Sequence, residues 1–401
     1  MAFLKVVSLE EALSIINSFK LEIESEEVTL DKALGRIVAE DIYSPLDIPP
    51  FDRSTVDGYA VRAEDTFMAS EANPVELKVI GNVHAGEEPL VKLSRGEAVY
   101  ITTGAMLPEN ADAVIPFEEV EREGDTIRIY KPAYPGLGVM KKGTDIKKGQ
   151  LLIKKGTKLT FKETALLSAV GFLKVKVFKK PKVAVISTGN EIVLPGEELK
   201  PGQIYDINGR AIVDAVNEIG GEGIFIGIAQ DDKESLKKMI FQALEVGDII
   251  VISGGASGGM KDLTASVIEE LGEVKVHGIA IQPGKPTIIG DIDGKPVFGL
   301  PGYPTSCLTN FTLLVAPLLL RLLGREGKIK KVKAKIKHKV FSVKGRRQFL
   351  PVKLEGDVAV PILKGSGAVT SFVEADGFVE IPENVESLDE GEEVTVTLFS
   401  F

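Results

Sequence analysis

The chain has 401 residues, 44% of them hydrophobic, a formal net charge of −10 and one cysteine. That length predicts two to four domains, because single hydrophobic cores stop growing well below it. The acidic balance excludes a general nucleic-acid binder but leaves room for one small phosphorylated ligand held by a few local donors. Cys307 alone excludes an intrachain disulfide and a thiolate zinc site. The N-terminus runs into a capped helix without a signal-peptide pattern. The apolar stretch 311–323 reads as too short, and too broken by Pro317 and Arg321, to span a bilayer. A cytoplasmic protein with no membrane partner is expected. Abundant Lys and Glu beside scarce Gln, Cys and His hint at a thermophile.

Ser8-Leu-Glu-Glu11 is a capping box and predicts a helix to about residue 19, with Leu9, Ala12, Leu13 and Ile16 on one face. A second short helix is expected at 30–37. Pro45-Leu-Asp-Ile-Pro-Pro-Phe-Asp-Arg-Ser-Thr-Val-Asp-Gly58, running on into Tyr59, Ala60 and Val61, carries three prolines and reads as an extended loop. It is either a rigid connector or a stiffened loop that presents Asp52, Arg53, Ser54 and Asp57 to a ligand. Strands are expected at 75–79, 97–102, 113–116 and 126–130. Asp145 lies in the basic loop Lys141-Lys-Gly-Thr-Asp-Ile-Lys-Lys-Gly149. Thr160-Phe-Lys-Glu163 is a second capping box, opening a helix that ends near Gly171.

From about residue 180 strands alternate with helices. Strands are expected at 182–187, 223–229, 249–252 and 274–280. Helices are expected at 209–219, capped by Asn208, at 233–244, after Asp262, and at 305–323. Asp293-Gly294 signals a hairpin between 287–289 and 296–298. The pattern predicts a mostly parallel sheet covered on both faces, with ligands beyond the carboxyl ends of its strands. Three loops belong at that edge: Ser187-Thr-Gly-Asn-Glu191, residues 253–262, and Gly299-Leu-Pro-Gly-Tyr-Pro-Thr-Ser306. Within the second, Ser253-Gly-Gly-Ala-Ser-Gly-Gly259 follows an apolar strand and lets the backbone approach an oxyanion. It matches neither a Gly-Lys-Ser/Thr ending nor G-x-G-x-x-G spacing, so an anion cradle and a plain tight turn both stay open. From about residue 328 the chain is β again, a small terminal domain.

Asp57, Asp145, Glu191, Asp206, Asp231, Asp232 and Asp262 all fall in loops. Oxygen ligands without Cys or clustered His suit Mg²⁺, although each acid also serves as a turn former or cap. Gln282-Pro-Gly-Lys-Pro286 projects Lys285 from a stiff backbone, either toward a phosphate or as an exposed turn lysine. Cys307 reads as a small buried apolar residue, and no Ser-His-Asp arrangement can be drawn. A divalent cation beside an anionic ligand suits phosphoryl or nucleotidyl transfer.

Several segments, in order, resemble one family. They are Pro49-Pro-Phe-Asp-Arg-Ser-Thr-Val-Asp-Gly-Tyr-Ala-Val61, Thr103-Gly-Ala105, Pro108-Glu-Asn-Ala-Asp-Ala-Val114, Ser187-Thr-Gly-Asn-Glu191, Tyr205-Asp-Ile-Asn208, Ser253-Gly-Gly-Ala-Ser-Gly258, Pro283-Gly-Lys-Pro286 and Gly299-Leu-Pro-Gly302. The chain is similar to the molybdopterin molybdenumtransferases, the MoeA family, and to the E domain of gephyrin. The resemblance implies an α/β multidomain fold. Its parts would be a discontinuous N-terminal domain (1–45 and 144–179), a β-rich insert (46–143), a three-layer molybdopterin-binding α/β domain (180–325) and a small C-terminal β-barrel (326–401).

It also implies a homodimer whose site is shared between subunits, with a molybdopterin adenylyltransferase as a further partner. The implied reaction takes adenylylated molybdopterin and molybdate, cleaves the pyrophosphate link, releases AMP and requires Mg²⁺. Asp57, Asp145, Glu191, Asp206 and Asp231 match acidic positions important to the family, with Glu191 and Asp206 as the candidate metal ligands. The implied substrate-binding set is Arg53, Ser54, Thr103, Gly104, Ser187, Thr188, Gly189, Asn208, Ser253, Gly254, Gly255, Ser257, Gly258, Lys285, Pro301, Gly302 and Ser306. Ser253 and Ser257 are expected to donate to phosphate oxygens. Three positions depart from the family: Ala256, Gln282 where a lysine is frequent, and Tyr303 where Asn is usual. They leave tungstate open as the oxyanion. The competing readings are molybdopterin adenylylation and a non-catalytic binding or scaffold protein.

Overall fold

The computed structural model describes residues 6–254, 261–326, 329–365 and 367–399. The chain divides into two compact units. One comprises Asp41–Lys154 and Phe161–Leu173; the other comprises Met1–Glu40, Lys155–Thr160 and Lys174–Phe401.

The first unit is built on a six-stranded sheet in the order Ala113–Pro116, Gly58–Val61, Glu97–Ile101, Val75–Val83, Thr126–Ile129 and Val120–Glu123. Gly58–Val61, expected to continue a loop, is a fully buried strand paired antiparallel on both sides. Its alternation explains the burial: Tyr59 and Val61 enter one apolar cluster and Ala60 another. A Cβ at Gly58 would sit 2.0 Å from the Ile115 carbonyl oxygen, so only glycine permits this strand contact. Just upstream, Arg53–Ser54 pairs with Val139–Met140. The helix Phe161–Ala169 belongs to the same unit, and Gly171 beyond it takes a positive φ of 84°.

In the second unit the opening helix is Leu9–Ser18, and Ser8 Oγ accepts the Glu11 N–H at 3.1 Å as its capping box predicts. The expected helix at 30–37 is instead a single 3₁₀ turn, Leu30–Lys32. Gly35 has φ 76°, and Ile37 and Val38 leave to bridge Lys158 and Val177. Ser25–Thr29 forms a strand with Lys174–Phe178, a long-range pairing that local pattern does not reveal.

The main sheet runs Glu222–Ala229, Lys182–Thr188, Ile249–Gly254, Lys295–Leu300, Ile288–Ile292 and Glu273–His277. Its first four strands are parallel, and Ile288–Ile292 runs antiparallel to both its neighbours. Both faces are dry: Val183, Val185, Ile249 and Val251 enter one core cluster, while Ala184, Ile186, Ile250 and Ile252 enter another. Continuous apolar strands are the consequence. The hairpin at Asp293-Gly294 has both residues at positive φ, 52° and 79°, as its turn demands.

The helical stretch Pro304–Leu322 is 19 residues long and apolar enough, by length and composition, to cross a membrane. Length therefore does not exclude a span, contrary to expectation. Burial does, because 83% of its apolar window is packed inside the protein as a core helix. Phe311–Val315 within it is a π segment placed just before Pro317. The wider turn accommodates a residue with no N–H to donate.

The terminal strands Lys331–Ile336, Arg347–Glu355, Val358–Pro361, Gly377–Ile381 and Glu393–Leu398 close into a five-stranded barrel, because Arg347–Glu355 also pairs with Gly377–Ile381. Ile281–Gln282, expected beyond the end of a main-sheet strand, instead joins the edge of this barrel at Arg347–Gln348.

Candidate active site

Three parallel strands finish side by side at their carboxyl ends. Thr188 lies opposite Gly254, and Ser253 lies opposite Leu300. Beyond them opens a cavity of about 950 Å³, wholly within the second unit. Of the residues singled out from sequence, Thr188, Glu191, Asp206, Asn208, Ser253, Gly254, Lys285, Pro301, Gly302 and Ser306 line it. Gly254 is demanded by the close approach of the two strand ends. Its φ is 119°, and a Cβ there would meet the Thr188 carbonyl oxygen at 2.2 Å.

The helix cap expected at Asn208 is supplied by Asp206 instead. Asp206 Oδ1 caps the helix Asn208–Ile219 by accepting the Gly209 N–H at 3.2 Å, and it accepts the Ser187 hydroxyl at 2.9 Å. Asn208 is the first helical residue. Its Nδ2 donates to Ser253 Oγ at 2.9 Å and to the Gly302 carbonyl at 2.8 Å, tying three loop regions together. Its buried Oδ1 has no partner among the described residues, and neither has Thr188 Oγ1. Such atoms await a donor from a ligand or water.

Ser253 is buried at the cavity wall, where its Oγ accepts the Asn208 amide and lies 3.3 Å from Cys307 Sγ. Burial pushes the Cys307 thiol up to about 12, which makes it inert at neutral pH. Ser187 is likewise enclosed. Gly189 donates its N–H to the Ala229 carbonyl at 3.2 Å, folding the loop that carries Glu191.

Glu191 is exposed and lines the cavity. Asp231 stands outside the lining with its Oδ1 buried and unpartnered among the described residues. Burial raises its pKa above the usual carboxylate value, as do the nearby charges of Glu191 and Asp232; a backbone hydrogen bond from Asn190 only partly opposes this.

The basic side of the cavity holds Lys285 and a residue the sequence reading missed, Arg346. Both are exposed, and neither forms an ion pair among the described residues. Arg346 arrives because the barrel strand beginning at Arg347 takes Ile281–Gln282 as a neighbour, a contact with no local signal. The loop bearing Lys285 is braced from below: buried Asn310 Nδ2 donates to the Gly284 carbonyl at 2.9 Å.

Gly255, Ser257 and Gly258, with Ala256, lie outside the described residues, as does the Asp262 side chain.

The remaining candidates belong to the other unit. Asp57 Oδ1 accepts both the Thr103 N–H at 2.6 Å and the Thr103 hydroxyl at 2.8 Å, and these two bonds hold the carboxyl below its ordinary range. The Gly104 N–H donates to the Ser54 carbonyl at 2.8 Å. Ser54 is buried, and its hydroxyl turns back to the Val56 carbonyl at 2.5 Å, a backbone brace. Arg53 contacts Met140 Sδ at 3.4 Å. Asp52 is stapled to the basic loop by the Lys142 N–H at 2.8 Å and Lys141 Nζ at 2.9 Å. Asp145 is exposed, and its N–H bonds the Ile48 carbonyl at 3.0 Å.

Among the described residues no group of three or more His, Cys, Asp or Glu side chains is gathered to hold a metal. The cavity offers two lining carboxylates, Glu191 and Asp206. Mg²⁺ keeps much of its water and takes one or two carboxylates together with substrate phosphates.

An α/β domain with a cavity at its strand ends, followed by a barrel, defines a small-molecule binding protein. Comparison with known proteins makes this specific. The MoeA N-terminal region (domain I and II) matches residues 7–171, a probable molybdopterin binding domain matches 184–321, and the MoeA C-terminal region (domain IV) matches 333–399. A molybdopterin molybdenumtransferase of Haemophilus influenzae is 33% identical, over 98% of this chain and 99% of the relative. A putative molybdopterin biosynthesis protein of Methanocaldococcus jannaschii is 38% identical, over 93% and 92%. The crystal structure of a molybdopterin biosynthesis MoeA protein from Pyrococcus horikoshii superposes with a TM-score of 0.92 at 78% identity, covering 98% of this chain and 99% of that one. The chain belongs to the MoeA family.

Proposed function

We propose that the chain catalyses metal insertion in molybdenum cofactor biosynthesis. It takes adenylylated molybdopterin and molybdate, cleaves the pyrophosphate link and releases AMP. The observation that carries this reading is the cavity itself, where two cations without an ion pair among the described residues, Lys285 and Arg346, and two carboxylates, Glu191 and Asp206, line one volume of about 950 Å³. The cations suit phosphate and oxyanion oxygens, Arg as a planar fork and Lys as a point charge. Asn208 holds the loops at Ser253 and Gly302 in fixed relation, so the ligand meets a preorganised wall.

Glu191 and Asp206 would hold Mg²⁺, which when bound neutralises charge on the departing phosphate. Asp231, near Glu191 and with one buried oxygen unpartnered among the described residues, supports cation binding at that end. We assign the active form as a cytoplasmic homodimer in which the Asp57–Thr103 pair of one subunit serves the cavity of the other. The adenylyltransferase that makes the substrate is a candidate partner. We divide the chain into four domains, 1–45 with 144–179, 46–143, 180–325 and 326–401. The charge-rich composition supports a thermophilic origin.

The test is AMP release from adenylylated molybdopterin with Mg²⁺ and molybdate in the absence of ATP. A strict ATP requirement would favour the adenylylation reading, and no turnover at all would favour a binding protein. Replacing molybdate by tungstate at matched concentration tests the oxyanion.

A further inference from the structure

The cavity is chemically two-sided. Lys285 and Arg346 provide a cationic region, while Ile204, Tyr303 and Val369, three of its lining residues, remain largely exposed. Tyr303 stands out among these. Its backbone is locked as the residue capping the helix Pro304–Asn310, and its carbonyl accepts the Cys307 N–H at 2.9 Å. The residue is nonetheless 61% exposed. The Cδ1–Cε1 side of the ring passes Gly367, 3.4 and 3.5 Å from where a Cβ would stand, so no side chain of that residue covers it. The other lining tyrosine, Tyr205, is tied by its hydroxyl to the Glu197 carbonyl at 2.8 Å.

An exposed aromatic ring on a fixed backbone, at a cavity that also holds two cations without an ion pair among the described residues, matches a ligand made of a flat heteroaromatic ring joined to phosphate. Aromatic rings gain from stacking on such bases, while the anion is satisfied separately. We propose that Tyr303 is the platform on which the planar ring of the ligand packs, and that it contributes to selection of a ring-bearing phosphate over a bare oxyanion. This rests on the reading of the cavity as a pterin-nucleotide site and adds which wall receives a ring. Two parts of that substrate present the required chemistry, the adenine and the pterin, and the experiment separates them.

The full-length protein, wild type, Tyr303→Ala and Tyr303→Phe, is examined by equilibrium dialysis with AMP, 6-hydroxymethylpterin and inorganic phosphate. Tyr303→Ala is expected to weaken one ring ligand by about 5-fold or more while leaving phosphate unchanged, and Tyr303→Phe to bind like wild type. Loss confined to AMP assigns the adenine to Tyr303, and loss confined to the pterin assigns the pterin. The proposal is overturned if Tyr303→Ala binds both ring ligands as wild type does, if it loses phosphate equally, or if Tyr303→Phe is as weak as Tyr303→Ala. Wild type that binds neither ring ligand overturns the cavity reading and this proposal together, whereas failure of the variants alone overturns only the platform.

Discussion

Asn208 Nδ2 reaches Ser253 Oγ at 2.9 Å, joining the start of one helix to the end of a neighbouring strand beneath the cavity. The same amide group holds the Gly302 carbonyl, so one side chain sets the spacing of two ligand-facing loops.

Asn208→Ala should therefore act on both stability and binding. It removes two hydrogen bonds and leaves a buried hydroxyl and a carbonyl short of a donor, a loss of about 2–3 kcal/mol. Urea denaturation checks the stability, and AMP binding should weaken in parallel. Unchanged stability would show that the amide is replaceable by water.

At the other candidate centre, Asp57→Asn should lower AMP release about 100-fold or more while leaving the melting curve nearly unchanged, because the side chain is exposed and its partner is one threonine. The sign of the pH effect follows from the two Thr103 bonds. A carboxyl held below its ordinary value of 3.8 contributes stability above that value and loses it as the pH falls through the folded pKa. Thr103→Ala deletes only the hydroxyl bond, so carbon-13 NMR titration should find the Asp57 pKa moved part of the way back toward 3.8, the backbone bond remaining.

Asp231 behaves in the opposite sense. Its carboxyl is raised above 3.8 in the folded state, first by burial and then by Glu191 and Asp232. Protonation then favours folding, and stability is lost as the pH rises from 3.8 through the folded pKa. Asp231→Asn should accordingly match wild type in acid and exceed it at neutral pH in thermal melts. Millimolar Mg²⁺ should stabilise wild type more than the variant if the cation sits beside Glu191.

Much of this site could be read before folding. Ser8 announced its helix because a cap is a local bond across three residues. The run at 249–252 announced a strand buried on two faces, and Glu191 and Gly302 stood in the loops that parallel strands place at one edge. What stayed hidden depends on distant chain. Arg346 enters through a barrel strand pairing, and Ser25–Thr29 is a strand only because Lys174–Phe178 lies beside it. The strand Gly58–Val61 was masked by the prolines before it. The cap at Asp206 in place of Asn208 turns on helix register, since Asn208 already lies inside the helix. Boundaries of this kind shift by a residue or two more easily than whole elements do.

Cys307 offers a direct probe of the core beneath the cavity. With its thiol pushed up to about 12 by burial, it should resist alkylation at pH 8 in the native protein and react fully in denaturant, as mass spectrometry would record. Rapid native labelling would mean that the floor at Ser253 opens.

The central claim is chemical turnover at the cavity. Purified protein should release AMP from adenylylated molybdopterin when Mg²⁺ and molybdate are supplied without ATP, and Lys285→Ala and Arg346→Ala should each reduce the rate, with the loss largest at subsaturating oxyanion. AMP release that needs ATP, or that proceeds unchanged in both variants, would contradict it.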